Sequence, residues 1–180
     1  RRMSMEGLEM AELPVVVIGA GPLGLAAAAQ LLERGLAPLV LEAGPGPGAA
    51  VAQWAHVRTF SPWPELVDPA AVRLLEPTGW IAAQAGFPTG REWIDDYLAP
   101  LAAALGKQVR FGAKVVAVSR LGRDRLVTPG RADAPFVVHV TNADGTECRV
   151  QARAVIDASG TWGQPNPAGA DGVPAIGEKA

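Results

Sequence analysis

A glycine-rich turn near the start of the 180-residue chain constrains its fold more than any other feature. Leu13 to Ile18 is an apolar, β-branched run typical of a buried parallel strand, and the turn Gly19-Ala20-Gly21-Pro22-Leu23-Gly24 follows it without a gap. Good helix formers fill Leu23 to Glu33, and Pro38 to Glu42 is typical of a second short strand. The order strand, glycine turn, helix, strand predicts an α/β fold.

Each glycine of the G-x-G-x-x-G spacing has a physical role if a dinucleotide binds. Gly19 permits the tight turn, Gly21 lets the backbone approach a pyrophosphate, and Gly24 lets the helix press on the strand. Free amides at the helix start would hold the phosphates without a basic side chain. Glu42, at the end of the second strand, would bind both hydroxyls of an adenosine ribose and repel a 2'-phosphate. The alternative is a glycine turn kept only for packing, in a chain that has 21 glycines.

Hydropathy offers a competing interpretation of the same segment. Leu13 to Leu32 contains no charged residue and is long enough to suggest a membrane span or a signal peptide. Pro22 and the surrounding turn residues argue against a continuous spanning helix. Glu6, Glu9 and Glu12 remove the positive flank that a secretory signal needs. We therefore expect no membrane insertion and a cytoplasmic location.

Composition narrows the classes of partner. A chain of this length is expected to form one domain, and its net charge of -2 gives no electrostatic case for binding nucleic acid. Cys148 is the only cysteine, which excludes a redox-active cysteine pair within the chain. We expect no metal site.

Aromatic and hydrogen-bonding side chains are dense between Gln53 and Trp63. A flat aromatic ligand such as a flavin would account for them, since rings can stack and an arginine can reach phosphate or ring oxygens. This interpretation favours cofactor contacts for Trp54 and Arg58, and leaves Trp63 equally open to a core position. His56 is expected to be structural, because no carboxylate or nucleophile stands at a readable spacing from it.

Two helix starts follow. Asp68 and Pro69 form an N-cap and first position that predict a short helix to about Glu76. The capping box Thr89–Glu92 predicts a second helix. That helix is expected to bury a stripe of side chains and to expose two acidic ones; the stripe is Trp93, Tyr97 and Leu101, and the acidic pair is Asp95 and Asp96.

From Val109 the hydrophobic period changes to two. Val115 to Ser119, Phe136 to Thr141 and Glu147 to Ala154 are predicted strands, and Asn142-Ala143-Asp144-Gly145 is predicted to join the last two as a hairpin. Ala154 to Asp157 then resumes a buried apolar strand. The pattern indicates a three-stranded meander at about 114–154, inserted before a return to the parallel sheet.

These motifs together resemble the flavin-containing monooxygenase-like flavoproteins, among the FAD enzymes with two dinucleotide-binding domains that include glutathione reductase. The residues that carry the resemblance are Gly19 to Gly24, Glu42, Gln53-Trp54, His56-Val57-Arg58, Phe60-Ser61-Pro62-Trp63, Asp157-Ala158-Ser159-Gly160-Thr161-Trp162 and Pro165-Asn166. The resemblance implies an incomplete, Rossmann-like FAD-binding domain of the glutathione-reductase type with an inserted three-stranded β-meander.

The resemblance also implies a set of FAD contacts. The pyrophosphate would lie on the glycine turn, the adenosine ribose at Glu42, the adenine at the backbone of Val115, and a closing turn at Ala158-Ser159-Gly160. The positions implied to touch FAD are Gly19, Ala20, Gly21, Pro22, Leu23, Gly24, Glu42, Ala43, Trp54, Arg58, Val115, Ala158, Ser159 and Gly160. One departure is that Gly48-Ala49-Ala50-Val51-Ala52-Gln53 replaces the Gly-Gly that usually precedes the tryptophan.

Such enzymes place a second glycine fingerprint, for NADPH, after the position of Asn166. We accordingly expect a flexible tail at 1–12, the first part of an FAD-binding domain at 13–166, and a linker at 167–180 towards an absent NAD(P)H-binding domain. The implied function is the FAD-binding portion of an NAD(P)H-dependent oxidoreductase acting on a small molecule, monooxygenase-like and inactive by itself. The sequence identifies no catalytic residue, and it is compatible with either a monomer or a homo-oligomer.

Two rival functions remain. One is a non-catalytic FAD- or NAD-binding module, or a truncated remnant. The other is a plain Rossmann dehydrogenase, which predicts continued alternation of strand and helix after Glu42. A meander between Lys114 and Ala154 would break that alternation.

Overall fold

The computed structural model describes residues 10–124, 126, 128–169 and 171–178. Its helices are α1 (Pro22–Glu33), α2 (Ala49–Ala52), α3 (Trp63–Leu66), α4 (Pro69–Leu75), α5 (Gly90–Trp93) and α6 (Ala99–Leu105). Its strands are β1 (Val15–Ile18), β2 (Pro38–Leu41), β3 (Val109–Arg110), β4 (Ala113–Arg120), β5 (Phe136–Asn142), β6 (Glu147–Ala152) and β7 (Ala154–Asp157). Short 3-10 turns lie at Met10–Glu12, Glu76–Thr78 and Gly106–Gln108, and a π-helical turn at Ile94–Leu98 joins α5 to α6.

Two sheets organise the chain. The first is parallel with the strand order β3-β2-β1-β7, and the second is the antiparallel meander β4-β5-β6. β1 lies between β2 and β7, and Val16 is opposite Leu39 on one side and Val155 on the other. These two partners come from distant parts of the sequence. This arrangement confirms the predicted α/β fold with an inserted three-stranded meander.

The strands β1 and β2 of the parallel sheet are buried on both faces. On one face Val17 and Val40 pack with α1, α4 and α6, around Leu25 and Leu101. On the other face Val16, Leu39 and Leu41 pack under the meander; their meander partners are Ala113, Val138, Val140 and Ala152. The fold therefore has three layers, namely helices, parallel sheet and meander, and continuous β-branched runs suit strands that are covered on both sides. The edge strand β7 is only half-buried and its last residue, Asp157, is exposed, so the prediction of a buried strand at Ala154 to Asp157 was wrong in its burial.

Most predicted elements are present with small shifts at their ends. α1 begins one residue earlier than predicted, at Pro22, and β2 ends at Leu41 rather than Glu42. The Asp68 carboxylate accepts hydrogen bonds from the amides of Ala70 and Ala71, as an N-cap should. The capping box of Thr89 and Glu92 is also present.

The structure differs from the sequence predictions in several elements. β6 ends at Ala152 rather than Ala154, because the amide of Arg153 donates to the carbonyl of Pro14 and the chain there changes sheets. β3 was not predicted as a strand of the parallel sheet, and neither was α3 within the aromatic segment. Tyr97 and Leu101 are buried as expected, whereas Trp93 is only half-buried.

The chain ends add two observations. Of the predicted tail at 1–12, residues 1–9 lie outside the described part, and Met10–Glu12 form a 3-10 turn. Among the described helices, none combines the length and the apolar character needed to cross a membrane.

Candidate functional site

Two of the three fingerprint glycines are required by the chain's own packing. Gly19 has a positive φ of 99°, and a Cβ there would lie 2.7 Å from the carbonyl oxygen of Ala158. A Cβ on Gly24 would lie 1.9 Å from the carbonyl oxygen of Gly19. Any side chain at either position would push the strand, the turn and the helix apart.

Gly21 is different, because nothing in the fold explains it. Its φ of -77° is one that any residue adopts, and a Cβ built on it would meet no atom within 4 Å. The missing side chain therefore leaves open space at the start of α1, where a ligand backbone could approach. The packing explanation accounts for Gly19 and Gly24 but not for Gly21.

Unused amides face the same helix start. Pro22 opens α1 and has no N–H, and the N-cap Gly21 supplies no side chain. Within the described residues, no hydrogen bond is donated by the amides of Gly21, Leu23 or Gly24. Such first-turn donors lie at the positive end of the helix dipole, which makes this turn suited to an anion.

Glu42 points towards the turn. One carboxylate oxygen accepts a hydrogen bond of 2.6 Å from the amide of Ala20, and the other accepts one of 2.7 Å from the amide of Gly44. Each oxygen keeps a further lone pair that could accept a hydroxyl. The start of β4 lies beside it, since the amide of Ala113 donates to the Glu42 carbonyl at 2.8 Å. Val115 follows Ala113 by two residues on β4. Ala43, which follows Glu42, is exposed.

The segment after β7 closes the other side of the turn. The amide of Ala158 donates to the carbonyl of Ile18 at 2.9 Å. The hydroxyl and amide of Ser159 both donate to one oxygen of Asp157, at 2.7 and 3.0 Å, and these bonds hold the pKa of the Asp157 carboxyl below its usual value. Gly160 has a positive φ of 69°. The carboxyl ends of β1, β2 and β7 therefore converge on one edge, the usual ligand-binding edge of such sheets.

Trp54 lies at an apolar cleft next to the turn. Its ring centroid is 6.5 Å from that of Trp93, with the ring planes tilted by 47°. The cleft has a volume of about 570 Å³, and Pro22 and Leu23 of the turn line it together with Trp54, Trp93 and Tyr97. The structure thus brings Trp54 into the neighbourhood of the glycine turn.

The other side chains of the aromatic segment have local partners. Arg58 donates to the carbonyl of Phe87 and lies 3.8 Å from the carboxylate of Glu92, so it ties its loop to the start of α5. Its predicted cofactor contact stays a prediction. Trp63 is buried at 9% exposure in the core below the helices, which favours the packing interpretation left open above. His56 is exposed.

Two contacts at this edge were not predicted as part of the site. Asp157 anchors the turn after β7, and the spacing Asp-x-Ser at a strand end is a recognisable Asx-turn signal. Gln53 accepts a hydrogen bond of 2.8 Å from the indole Nε1 of Trp162. That pair spans 109 positions, so no local pattern could have shown it.

Comparison with known proteins gives a family match and a curated relative. Residues 17–75 match the family model for an NAD(P)-binding Rossmann-like domain. Thiamine thiazole synthase from Archaeoglobus fulgidus is 31% identical over 166 residues, which cover 87% of this chain and 59% of that protein. The chain therefore spans less than two thirds of this curated relative.

Solved structures share the fold. The bacillithiol disulfide reductase Bdr from Bacillus cereus has a TM-score of 0.67 at 25% identity, over 93% of this chain and 44% of its own. A flavin-containing monooxygenase from Stenotrophomonas maltophilia has a TM-score of 0.58 at 31% identity, over 88% and 42%. OTEMO, solved in complex with FAD and NADP, has a TM-score of 0.59 at 24% identity, over 84% and 26%. The predicted resemblance is confirmed: the chain carries a Rossmann-like fold similar to part of a flavin monooxygenase and of a disulfide reductase.

Proposed function

We propose that this chain is the FAD-binding portion of an NAD(P)H-dependent flavoprotein oxidoreductase, monooxygenase-like, that acts on a small molecule in the cytoplasm. The observation that carries the proposal is the open space at Gly21, beside three unused amides and a carboxylate turned towards the same bend. FAD fits this arrangement because the position where Gly21 would carry a Cβ is open, and the packing of the chain does not require a glycine there. The domain bounds 13–166 belong to this proposal.

The proposed division of labour follows from the geometry. The amides of Gly21, Leu23 and Gly24 would bind the diphosphate, and the helix dipole would offset its charge without a lysine or arginine. Glu42 would bind the adenosine ribose, and its negative charge would disfavour a 2'-phosphate there. The cleft beside Trp54 offers a largely apolar wall next to the turn.

When bound, FAD would supply the redox chemistry that the side chains at this edge do not offer. Val115 and Ala158 to Gly160 would contact the cofactor through their backbone, since they lie on β4 and on the segment after β7. NADPH would bind elsewhere in the intact enzyme. We expect this chain by itself to bind FAD without turnover.

Two rival proposals are separated in different ways, one by the fold and the other by an experiment. The meander spans Ala113 to Ala152 and interrupts the alternation of strand and helix that a plain Rossmann dehydrogenase would show. A non-catalytic FAD module would have the same fold as an enzyme. Reduction of bound FAD by NADPH under air, with oxygen consumption by the full-length protein, would separate the enzyme from the module.

Glu42→Gln tests the binding mode. We titrate the wild-type chain with FAD by fluorescence and then compete with ADP, which keeps the diphosphate and ribose, and with 2'-phospho-ADP, which adds the disfavoured phosphate. Wild type should prefer ADP over 2'-phospho-ADP by about ten-fold or more, because a charged hydrogen bond contributes about 1.5–3 kcal/mol.

The Glu42→Gln variant should bind FAD about ten-fold more weakly and lose most of that preference. A matched control is Glu147→Gln, an exposed acid at the start of β6, which should change neither value. No binding of FAD or ADP at millimolar concentration by folded wild type would contradict the proposed function.

A further inference from the structure

The Gln53–Trp162 hydrogen bond joins two parts of the chain that both rest on the glycine turn. The indole Nε1 of Trp162 donates to the side-chain oxygen of Gln53 at 2.8 Å. Gln53 is the C-cap of α2, and Trp162 lies in the segment that follows β7. Both side chains are exposed, so the contact serves no role in the buried core.

The α2 side is fixed to the turn. The amide of Gly48, at the N-cap of α2, donates to the carbonyl of Ala20 at 2.9 Å. Val51 anchors the helix in the core at 5% exposure. The amide of Gln53 donates back to the carbonyl of Ala50 at 3.2 Å, so the position of Gln53 follows that of the turn.

The segment after β7 is fixed to the parallel sheet at its start. Ala158 is bonded to β1 and its carbonyl lies against Gly19, and Ser159 is held by Asp157. Beyond it, Gly160 and Thr161 are exposed. Among the described residues, the next hydrogen bond from this segment to another element is that of the Trp162 indole to Gln53. Residues 158–162 are therefore tied at both ends, at one end to β1 and at the other to α2.

We propose that Gln53 and Trp162 are positioning residues that hold residues 158–162 against the glycine turn and slow the release of a dinucleotide bound there. The inference rests on the proposed function. The α2 segment contacts the turn at Ala20 and the segment after β7 contacts it at Gly19, so both lie beside the turn that carries Gly21. Without the Gln53–Trp162 contact, the segment after β7 would keep only its attachment at β1. Neither side chain needs to touch the cofactor.

A double-mutant cycle tests the coupling. Gln53→Leu removes the acceptor, Trp162→Phe removes the donor but keeps a ring, and the FAD dissociation rate constant is measured by displacement with excess ADP. Each single variant should raise the rate constant about two- to ten-fold, the range expected for one hydrogen bond, and the double variant should match the singles. Gln84→Leu is the matched control, because exposed Gln84 makes a local hydrogen bond to the carbonyl of Ala82, two residues before it.

Additive effects in the double variant, or rates equal to wild type, would overturn the inference while leaving FAD binding intact. Absence of FAD binding by folded wild type would instead overturn the proposed function. A second measurement needs no cofactor. Limited proteolysis between residues 158 and 166 should be faster in Gln53→Leu and should return to the wild-type rate in Gln53→Glu, which keeps an acceptor oxygen; equal cleavage in all three would contradict the contact.

Discussion

At the scale of single residues, the three glycines of one motif have different reasons to be glycine. Gly19 and Gly24 serve the chain's own packing, as the 2.7 Å and 1.9 Å approaches of their virtual Cβ atoms show. Gly21 has ordinary backbone angles and open space around it. The motif therefore combines a folding requirement with a binding requirement, and substitution can separate the two.

Gly21→Ala should fold normally but bind FAD poorly, whereas Gly24→Ala should fold poorly. A methyl group at Gly24 collides with a backbone carbonyl, so we expect unfolding to become easier by about 3 kcal/mol or more. A methyl at Gly21 meets only open space, so its unfolding free energy should stay within about 1 kcal/mol of wild type. Its FAD affinity should fall about 10- to 100-fold, because the methyl occupies the approach of the diphosphate.

Urea unfolding and FAD titration of both variants measure these effects. Gly46→Ala is a suitable control, since Gly46 also has open space around it but lies in the loop after β2. Equal FAD affinities of Gly21→Ala and wild type would contradict the binding role of Gly21.

At the scale of elements, one aspartate connects two helices. The Asp68 carboxylate caps α4 through the amides of Ala70 and Ala71 and also accepts hydrogen bonds from the Gln30 side chain of α1, at 3.0 and 3.1 Å. The backbone amide of Asp68 donates to the hydroxyl of Tyr97 at 3.0 Å. α1, which carries the glycine turn, is thus braced from the helical layer.

Asp68→Ala should lower the free energy of unfolding by about 1–2 kcal/mol, the usual loss for an N-cap. Asp95→Ala is the matched control, because the Asp95 carboxylate is exposed and its ion pair with Arg91 is 4.0 Å long. An exposed ion pair of this kind contributes little to the free energy of unfolding. Urea denaturation monitored by tryptophan fluorescence provides the comparison. Equal midpoints for the two variants would show that the Asp68 contacts do not support α4.

Helices and strands could be predicted from the sequence where neighbouring residues determine them, and not where a distant part of the chain does. Asp68 and Thr89 cap helices with neighbours two or three positions away, so their sequences sufficed. β3 has two residues and exists because Val109 pairs with Val40, a partner far along the chain. The end of β6 was misplaced because apolar alternation continues past Arg153, although the backbone there leaves the meander.

The candidate site divides in the same way. The glycine turn and Glu42 were predictable because backbone amides at a helix start require a fixed short spacing. The structure then placed Glu42 on the turn, through its bond to Ala20. Arg58 and Trp63 were ambiguous because composition shows that a segment is aromatic, but not whether its side chains face a ligand, a loop or the core.

At the scale of the whole molecule, the three layers explain where the site lies. β1 is the only strand of the parallel sheet that has both β2 and β7 as neighbours among the described strands, so the loops after all three meet above it. The meander covers one face of the sheet and brings the start of β4 to Glu42, and the helices cover the other and bring α2 to Ala20. The core thus fixes the backbone around Gly21 without filling the space beside it.

Amide chemical shifts of the ¹⁵N-labelled chain during titration with ADP test the central claim most directly, with adenosine as the matched ligand that lacks the diphosphate. The amides of Gly21, Leu23 and Gly24 should show the largest shifts with ADP and much smaller ones with adenosine, because backbone donors at the start of α1 bind the phosphates. Resonances of these three amides that stay in place while ADP saturates the chain would contradict the account.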